Sequence, residues 1–386
     1  MHDHILICPD KFKGTLTAHQ AATAMARGWA RIRPGDKLDL LPISDGGDGF
    51  GEVCGRLLQA QRRQVSTVDA AGRPRRARWW WVASRKLALL ESAEAVGLAH
   101  LPPGRFHPFQ LDTTGLGRLL QAAARAGAAQ VLIGLGGSAT NDGGFGLARA
   151  LGWRFFDRAG GELVRWTELS RLARVQPPHR LRLFRSLMVA VDVTNPLLGP
   201  RGASRIYGPQ KGLRPEDIPL AERCLRRLAR AMEDFWQRPL ATLPGAGAAG
   251  GLGFGLVAFA KGRLIPGFAW MARQARLFSR LRAADLVITG EGALDRSTLM
   301  GKGVGQVVQA CRCQGVPCIA LVGKLAPWPS MHRWFHRVYA LTAHMEEAQA
   351  RARAAEALTE LAAHAAREWA SLDNRSCMSR KNRAGA

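Results

Sequence analysis

Short apolar runs that end in loops of glycine and acid recur along this chain, and they limit its fold more than any other feature. "HILICPD" (4–10) leads into Lys11 and Lys13, and "KLDLLPIS" (37–44) into "DGGDG". "AAQVLI" (128–133) leads into "GLGGSATNDGG", "SLMVAVDV" (186–193) into "TNP", and "DLVITG" (285–290) into "EGALD". Helical segments follow several of these loops. After the first, Thr17 stands three residues before Gln20, the spacing of a capping box. Ala21, Ala24, Met25 and Trp29 then recur at helical spacing. A strand, loop, helix and strand rhythm from the first residues is the signature of a parallel α/β sheet.

The rhythm breaks over 62–92, where alternation with period two predicts antiparallel strands around the turn "AAGRP". Within it, alternation puts Trp79 and Trp81 on one face and Trp80 on the other, which suits core plus interface better than a stacking platform. Residues 153–275 are mixed, and the parallel style returns near 276. The expected architecture is a discontinuous Rossmann-like parallel-sheet domain from 1–50, 114–150 and 276–370. An inserted α+β domain takes 51–113 with 151–275, and the active-site cleft lies between the two. "ARAAEALTELAAHAA" reads as a packed helix, and the basic stretch 371–386 as a disordered tail.

A chain of 386 residues is long for one core, and 47% hydrophobic with 22% charged residues is ordinary for a folded protein. The net charge of +25 invites a nucleic-acid reading. Only nine of the 55 basic residues are lysine, however, and the arginines are scattered over nearly every segment. No helix-turn-helix, zinc-finger or ribonucleoprotein signature accompanies them. An anionic small molecule suits the charge equally well. The seven cysteines include no CxxC pair and match no zinc spacing, the N-terminus lacks a signal-peptide pattern, and no apolar window is long enough to span a bilayer. A cytoplasmic protein is expected, with neither nucleic acid nor membrane as partner; a homodimer is left open.

The chemistry gathers at the ends of the apolar runs, where open α/β sheets bind their ligands. Asp10, Lys11 and Lys13 follow the first run, and Asp45, Gly46, Gly47 and Asp48 the second. Gly136, Gly137, Ser138, Thr140 and Asn141 follow the third, Asp192 and Asn195 the fourth, and Glu291, Asp295 and Lys302 the fifth. Any one of these acids could be a turn former or a helix cap. Together, carboxylates, lysines and loop amides suit phosphoryl transfer: carboxylates to hold Mg²⁺ or accept a proton, lysines and amides to neutralise phosphate. The P-loop pattern GxxxxGK(S/T), the protein-kinase motifs, a dinucleotide fingerprint on the first turn and a GxSxG elbow are all missing.

Ten segments in order resemble bacterial glycerate kinases of the first family, the glycerate 2-kinase type. They are "CPDKFKGTLTA", "PISDGGDGFGE", "ESAEAVGL", "TTGLGRLL", "GLGGSATNDGGFGLARALG", "DVTNPLLGPRGAS", "YGPQKGL", "GAAGGLGFGL", "ADLVITGEGALDRSTLMGKGV" and "GVPCIALVGK". The resemblance runs from about residue 4 to about 345. It implies ATP-dependent phosphorylation of D-glycerate with Mg²⁺, giving 2-phosphoglycerate, with 3-phosphoglycerate the open alternative. That product would carry glyoxylate- or serine-derived carbon into lower glycolysis. Lys11, Asp48, Ser297 and Lys324 depart from the family's usual residues.

On this reading the loop 134–144 binds nucleotide phosphates or the transferred group through backbone N–H groups at a helix start, with Ser138, Thr140 and Asn141 adding side-chain donors. Asp192 and Asp295 are the candidates for catalytic base and for Mg²⁺ ligand, with Asp45 and Asp48 behind them. Lys11, Lys13, Lys211 and Lys302 are anion binders, Lys13 counted with the catalytic groups. Arg201 pairs with the glycerate carboxylate, or is one exposed arginine among many. Two other classes stay open: a non-catalytic nucleotide- or phosphosugar-binding regulator, and a basic nucleic-acid-binding protein.

Overall fold

A computed structural model describes residues 2–299, 303–326, 328 and 330–384, with side chains except those of 297 and 372–384. Its contacts divide the chain into two compact units, Met1–Ser44 with Met271–Ala386, and Asp45–Trp270. The chain opens with β1 (His4–Pro9) and β2 (Lys37–Leu40), joined by the helix Ala18–Ile32. It then builds the second unit from β3 (Gln61–Val68), β4 (Pro74–Val82), β5 (Leu87–Glu91), β6 (Gln130–Gly134), β7 (Arg154–Phe156), β8 (Arg174–Gln176), β9 (Ser186–Val191) and β10 (Arg263–Pro266). It returns to the first unit with β11 (Leu286–Gly290), β12 (Ala293–Leu294), β13 (Cys318–Val322), β14 (Lys324–Leu325) and β15 (Arg337–Ala340).

In the first unit five strands run parallel in the order β15-β13-β11-β1-β2. A parallel sheet is covered on both faces, so its strands read as unbroken apolar runs. Ile5, Leu6, Ile7 and Cys8 of β1 are accordingly all fully buried. The expected capping box starts the first helix: Gln20 N donates to Thr17 Oγ1 at 3.2 Å, and Thr17 N donates to Gln20 Oε1 at 2.9 Å. Its buried stripe Ala21, Ala22, Met25 and Trp29 shares a core with Leu358, Leu361 and Ala362 of the last helix. That helix runs Ala354–Ala384, so the stretch expected to be a disordered tail continues it to Ala384. Neither glycine nor proline interrupts the sequence before Gly385.

The second unit holds a six-stranded sheet in the order β10-β9-β6-β5-β4-β3. β3, β4 and β5 pair antiparallel, as the alternation predicted, but β5 also pairs parallel with β6, and β6 with β9. The antiparallel strands are therefore the edge of a mixed sheet. This corrects the expected domain division. Residues 114–150, with β6 at their centre, lie in the second unit, and the boundaries fall at 44/45 and 270/271. All three tryptophans of β4 are buried. Trp79 and Trp81 stand edge to face at 6.1 Å on one side of the sheet. Trp80, on the other, lies where a Cβ on Gly51 or Gly55 would come within 2.1 or 2.5 Å of its indole. No described helix is long and apolar enough to cross a membrane.

Candidate functional site

The acids and glycines singled out in the sequence fall into two sets, one in each unit. In the second unit, three loops at carboxyl ends of strands or just before a helix pack backbone on backbone. A Cβ on Gly136 would lie 2.4 Å from Gly47 Cα, and one on Gly137, which has φ +64, would lie 1.9 Å from Asp48 Oδ1. Only glycine fits at such approaches. A Cβ on Gly46 or on Gly267 would lie 2.9 Å from Asp192 Oδ2, so Asp192 sits against the same loop. Asp45 closes that loop on itself, its Oδ1 accepting from Gly47 N at 3.1 Å. Phe268 N donates to Asp192 Oδ1 at 3.3 Å. Asp45, Gly46, Gly47, Asp48, Gly136, Gly137 and Asp192 are thus brought together.

The rest of the glycine loop faces inward. Ser138 and Thr140 share a hydrogen bond of 2.8 Å between their hydroxyls, and Asn141 Nδ2 donates to Ser204 Oγ at 2.9 Å; all three residues are buried. They shape the loop, in place of the expected donors to an anion. The helix start expected to hold phosphate is also occupied. Asp142 accepts from Gly144 N at 3.1 Å, from Gly146 N at 2.9 Å, and from both Thr113 N and Thr113 Oγ1 at 2.9 and 2.8 Å. An internal carboxylate therefore caps the helix Phe145–Ala150. Burial, reinforced by Asp112, raises the Asp142 carboxyl to about 6 against the pull of these bonds. Gly136, half-buried, and Gly137, exposed, are what remains open.

Lys211 is buried under the same loop, its Nζ donating to Thr140 O at 2.6 Å. Burial lowers this lysine to about 7, opposed by the charge of Asp142. Asn195 closes a turn of its own: Nδ2 donates to Arg201 O at 2.8 Å, and Tyr207 Oη donates to Asn195 Oδ1 at 2.7 Å. The Arg201 side chain is exposed.

In the first unit the loops after β1, β11 and β13 adjoin. Asp10 N donates to Gly290 O at 2.8 Å, Gly323 N to Glu291 O at 3.1 Å, and Lys324 N to Gly292 O at 3.0 Å. A Cβ on Gly292 would lie 3.1 Å from Lys13 N. Asp10 Oδ1 accepts from Lys11 N at 2.7 Å. Buried Thr298 donates through Oγ1 to Glu291 Oε1 at 2.7 Å, and its N–H reaches Asp295 O at 3.0 Å. Asp10, Lys11, Glu291 and Asp295 are half-buried and Lys13 is exposed. Lys324 pairs on the surface with Glu347 at 3.0 Å. Lys302 lies outside the described residues, as does the side chain of Ser297.

Sequence reasoning passed over Glu91, the last residue of β5. Its Oε1 accepts from Gly49 N at 2.7 Å and its Oε2 from Gly51 N at 3.1 Å, across the start of the helix Phe50–Leu57. Burial pushes the carboxyl up to about 7; the two N–H groups pull it down, and Glu94 and Asp48 push it up further. The available signal was an acid closing a five-residue buried run, in "LALLESAEAVGL".

Parallel strands that deliver acids and glycines to their carboxyl-end loops define an α/β enzyme acting on a small molecule. The comparisons with known proteins make this specific. The model of the glycerate kinase family matches residues 5–370. A glycerate kinase of Halalkalibacterium halodurans is 39% identical, the match covering 83% of this chain and 85% of that one. The glycerate 2-kinase of Escherichia coli K12 is 34% identical over the same shares. A crystal structure assigned as glycerate kinase 2 from Salmonella typhimurium LT2 superposes with a TM-score of 0.82 at 33% identity, covering 97% of this chain and all of that one. The chain belongs to the glycerate kinase family, phosphotransferases with an alcohol group as acceptor.

Proposed function

We propose that the protein transfers the γ-phosphoryl group of ATP to D-glycerate, with Mg²⁺, and that the product is 2-phosphoglycerate. The observation that carries this reading is the backbone-on-backbone approach of Gly136 to Gly47 and Asp48 N, with the Asp48 carboxylate against Gly137 and Asp192 against the same loop. Such a surface, free of bulky side chains, admits a phosphate close to main-chain N–H groups. The loop tip at Gly136 and Gly137 takes the phosphate contact, while Ser138, Thr140, Asn141 and Lys211 hold its shape from beneath.

Asp192 and Asp295 remain the candidates for base and for Mg²⁺ ligand. A base here takes the proton of the attacking glycerate hydroxyl. The donors near Asp192 are oxygens, its own carboxylate and the Asp45 carbonyl beside Gly267, which suits a hard cation that also keeps water and phosphate oxygens. Bound with the nucleotide, Mg²⁺ would supply neutralisation of phosphate charge. Lys13, exposed in its loop, is assigned to an anionic group of substrate or nucleotide. Lys11 and Lys302 are assigned to the same work, Asp10 and Glu291 to the hydroxyl or Mg²⁺ side of the substrate and phosphate site, and Arg201 to the glycerate carboxylate.

The product assignment has a direct test. Coupling the reaction to enolase alone should give phosphoenolpyruvate, without added phosphoglycerate mutase. A signal that depends on the mutase would mean 3-phosphoglycerate.

A further inference from the structure

The segment that follows β5 touches both glycine loops of the second unit. At its start, Glu91 accepts the N–H groups of Gly49 and Gly51. One residue on, Ser92 Oγ donates to Gly136 O at 3.3 Å. Further along, Ala139 N donates to Val96 O at 2.9 Å and Leu98 N donates to Gly137 O at 2.7 Å, with a bridge between Gly97 and Ser138. Eight consecutive residues therefore fix the loop 45–49 on one side and the loop 136–139 on the other. Between these anchors Gly136 meets Gly47 and Gly137 meets Asp48.

We propose that Glu91 is a positioning residue for phosphoryl transfer, holding the 45–49 loop against the tip of the 136–139 loop through its two backbone hydrogen bonds. The inference rests on the reading of these loops as the phosphate-binding surface. Both oxygens of Glu91 accept, which suits the ionised form; a protonated carboxyl, or a glutamine, places a donor against a backbone donor. The charged and titratable groups around it are Asp48 on the loop, Cys54 on the helix Phe50–Leu57, Glu94 on the following helix and Arg78 on β4. Arg78 is engaged by Glu94, to which it donates through Nε at 2.9 Å, so Glu91 is left to the two N–H groups. Ionisation of a carboxyl held near 7 then sets the fraction of enzyme with the loops in register.

The test compares Glu91→Gln and Glu91→Asp with the wild-type protein in two assays. In hydrogen exchange without substrate, Glu91→Gln should speed exchange at 49–51 and at 136–139 at least tenfold, leaving the helix Ala18–Ile32 unchanged. In glycerate-dependent ADP release, the wild type should show an acid limb near pH 7, and Glu91→Gln should lower kcat at least tenfold at pH 8 and remove that limb. Glu91→Asp, which keeps the charge, should retain the limb and recover part of the rate. Unchanged exchange at 49–51, or a Glu91→Gln profile that keeps both rate and acid limb, would overturn the proposal. Wild-type protein without glycerate-dependent ADP release would overturn the proposed reaction instead, while the exchange arm would still decide whether Glu91 holds the loops.

Discussion

The loop after β6 and the loop after β11 begin alike, each leaving a buried parallel strand through a glycine, yet they are held in different ways. Beneath the first lie ionisable groups removed from water: Asp142 inside the helix start, Lys211 under Thr140, and Glu91 behind the adjoining loop. The second is tied by backbone bonds to Gly323 and Lys324 and by the neutral hydroxyl of Thr298. Buried charges are costly unless several hydrogen bonds engage them, and then they fix geometry strongly. The second unit thus rests its loop surface on buried ionisable groups, and the first presents half-buried acids on backbone bonds and one hydroxyl.

The largest effects should come from the two candidate acids, one in each unit. Asn in place of Asp192 or Asp295 should lower turnover by about a hundredfold or more for whichever is the base. Steady-state rates with intact melting transitions would check this, and if both variants keep more than a tenth of wild-type turnover, neither is the base. Next in size is Gly136→Ala, whose Cβ would strike Gly47 backbone at 2.4 Å. It should cost about 1–3 kcal/mol of stability and roughly tenfold in rate, a factor worth about 1.4 kcal/mol. Gly160→Ala carries a backbone penalty of its own (φ +83) but has open space around it and lies away from the candidate residues, so it should leave the rate unchanged. Equal rates for the two variants would mean that the loop contact does not matter to the reaction.

Protonation offers a further way to separate the regions. The folded-state value of Glu91 lies above its ordinary value of 4.5, at about 7, so folding takes up a proton between those values. Stability falls as the pH rises from about 4.5 through about 7, while the ionised form that engages Gly49 and Gly51 is the one populated above. The wild type should therefore lose more melting temperature between pH 5 and pH 8 than Glu91→Gln does. Parallel melting curves for the two would contradict the burial of an ionising carboxyl there. Smallest is Thr298→Val in the first unit. It removes the hydroxyl's bond to Glu291 and the acceptor of Asp295 N at 3.4 Å, and should cost about 1 kcal/mol in the melt.

Much of this organisation was legible in the sequence. The apolar runs became strands, the Thr17–Gln20 box formed, and the glycine loops stood at strand ends. What could not be read was pairing between distant segments. Residues 114–150 have the same strand and helix rhythm as the first unit, and only the partners of β6 place them in the other sheet. Ser138, Thr140 and Asn141 are polar loop residues whose inward direction depends on Ser204 and on each other. Glu91 was hidden for the same reason, because its partners lie about forty residues earlier in the chain. Asp142 stands in the segment "GLGGSATNDGG" after the run "AAQVLI", but its work as an internal cap needed Thr113 in place.

The central claim is that these loops serve phosphorylation of glycerate. Its most direct test is ADP release by the purified protein with ATP and Mg²⁺, with and without D-glycerate. ADP that appears only with D-glycerate, one mole per mole of phosphoglycerate formed, is the predicted result. ADP release that ignores D-glycerate, or none at all from a folded protein, would contradict it.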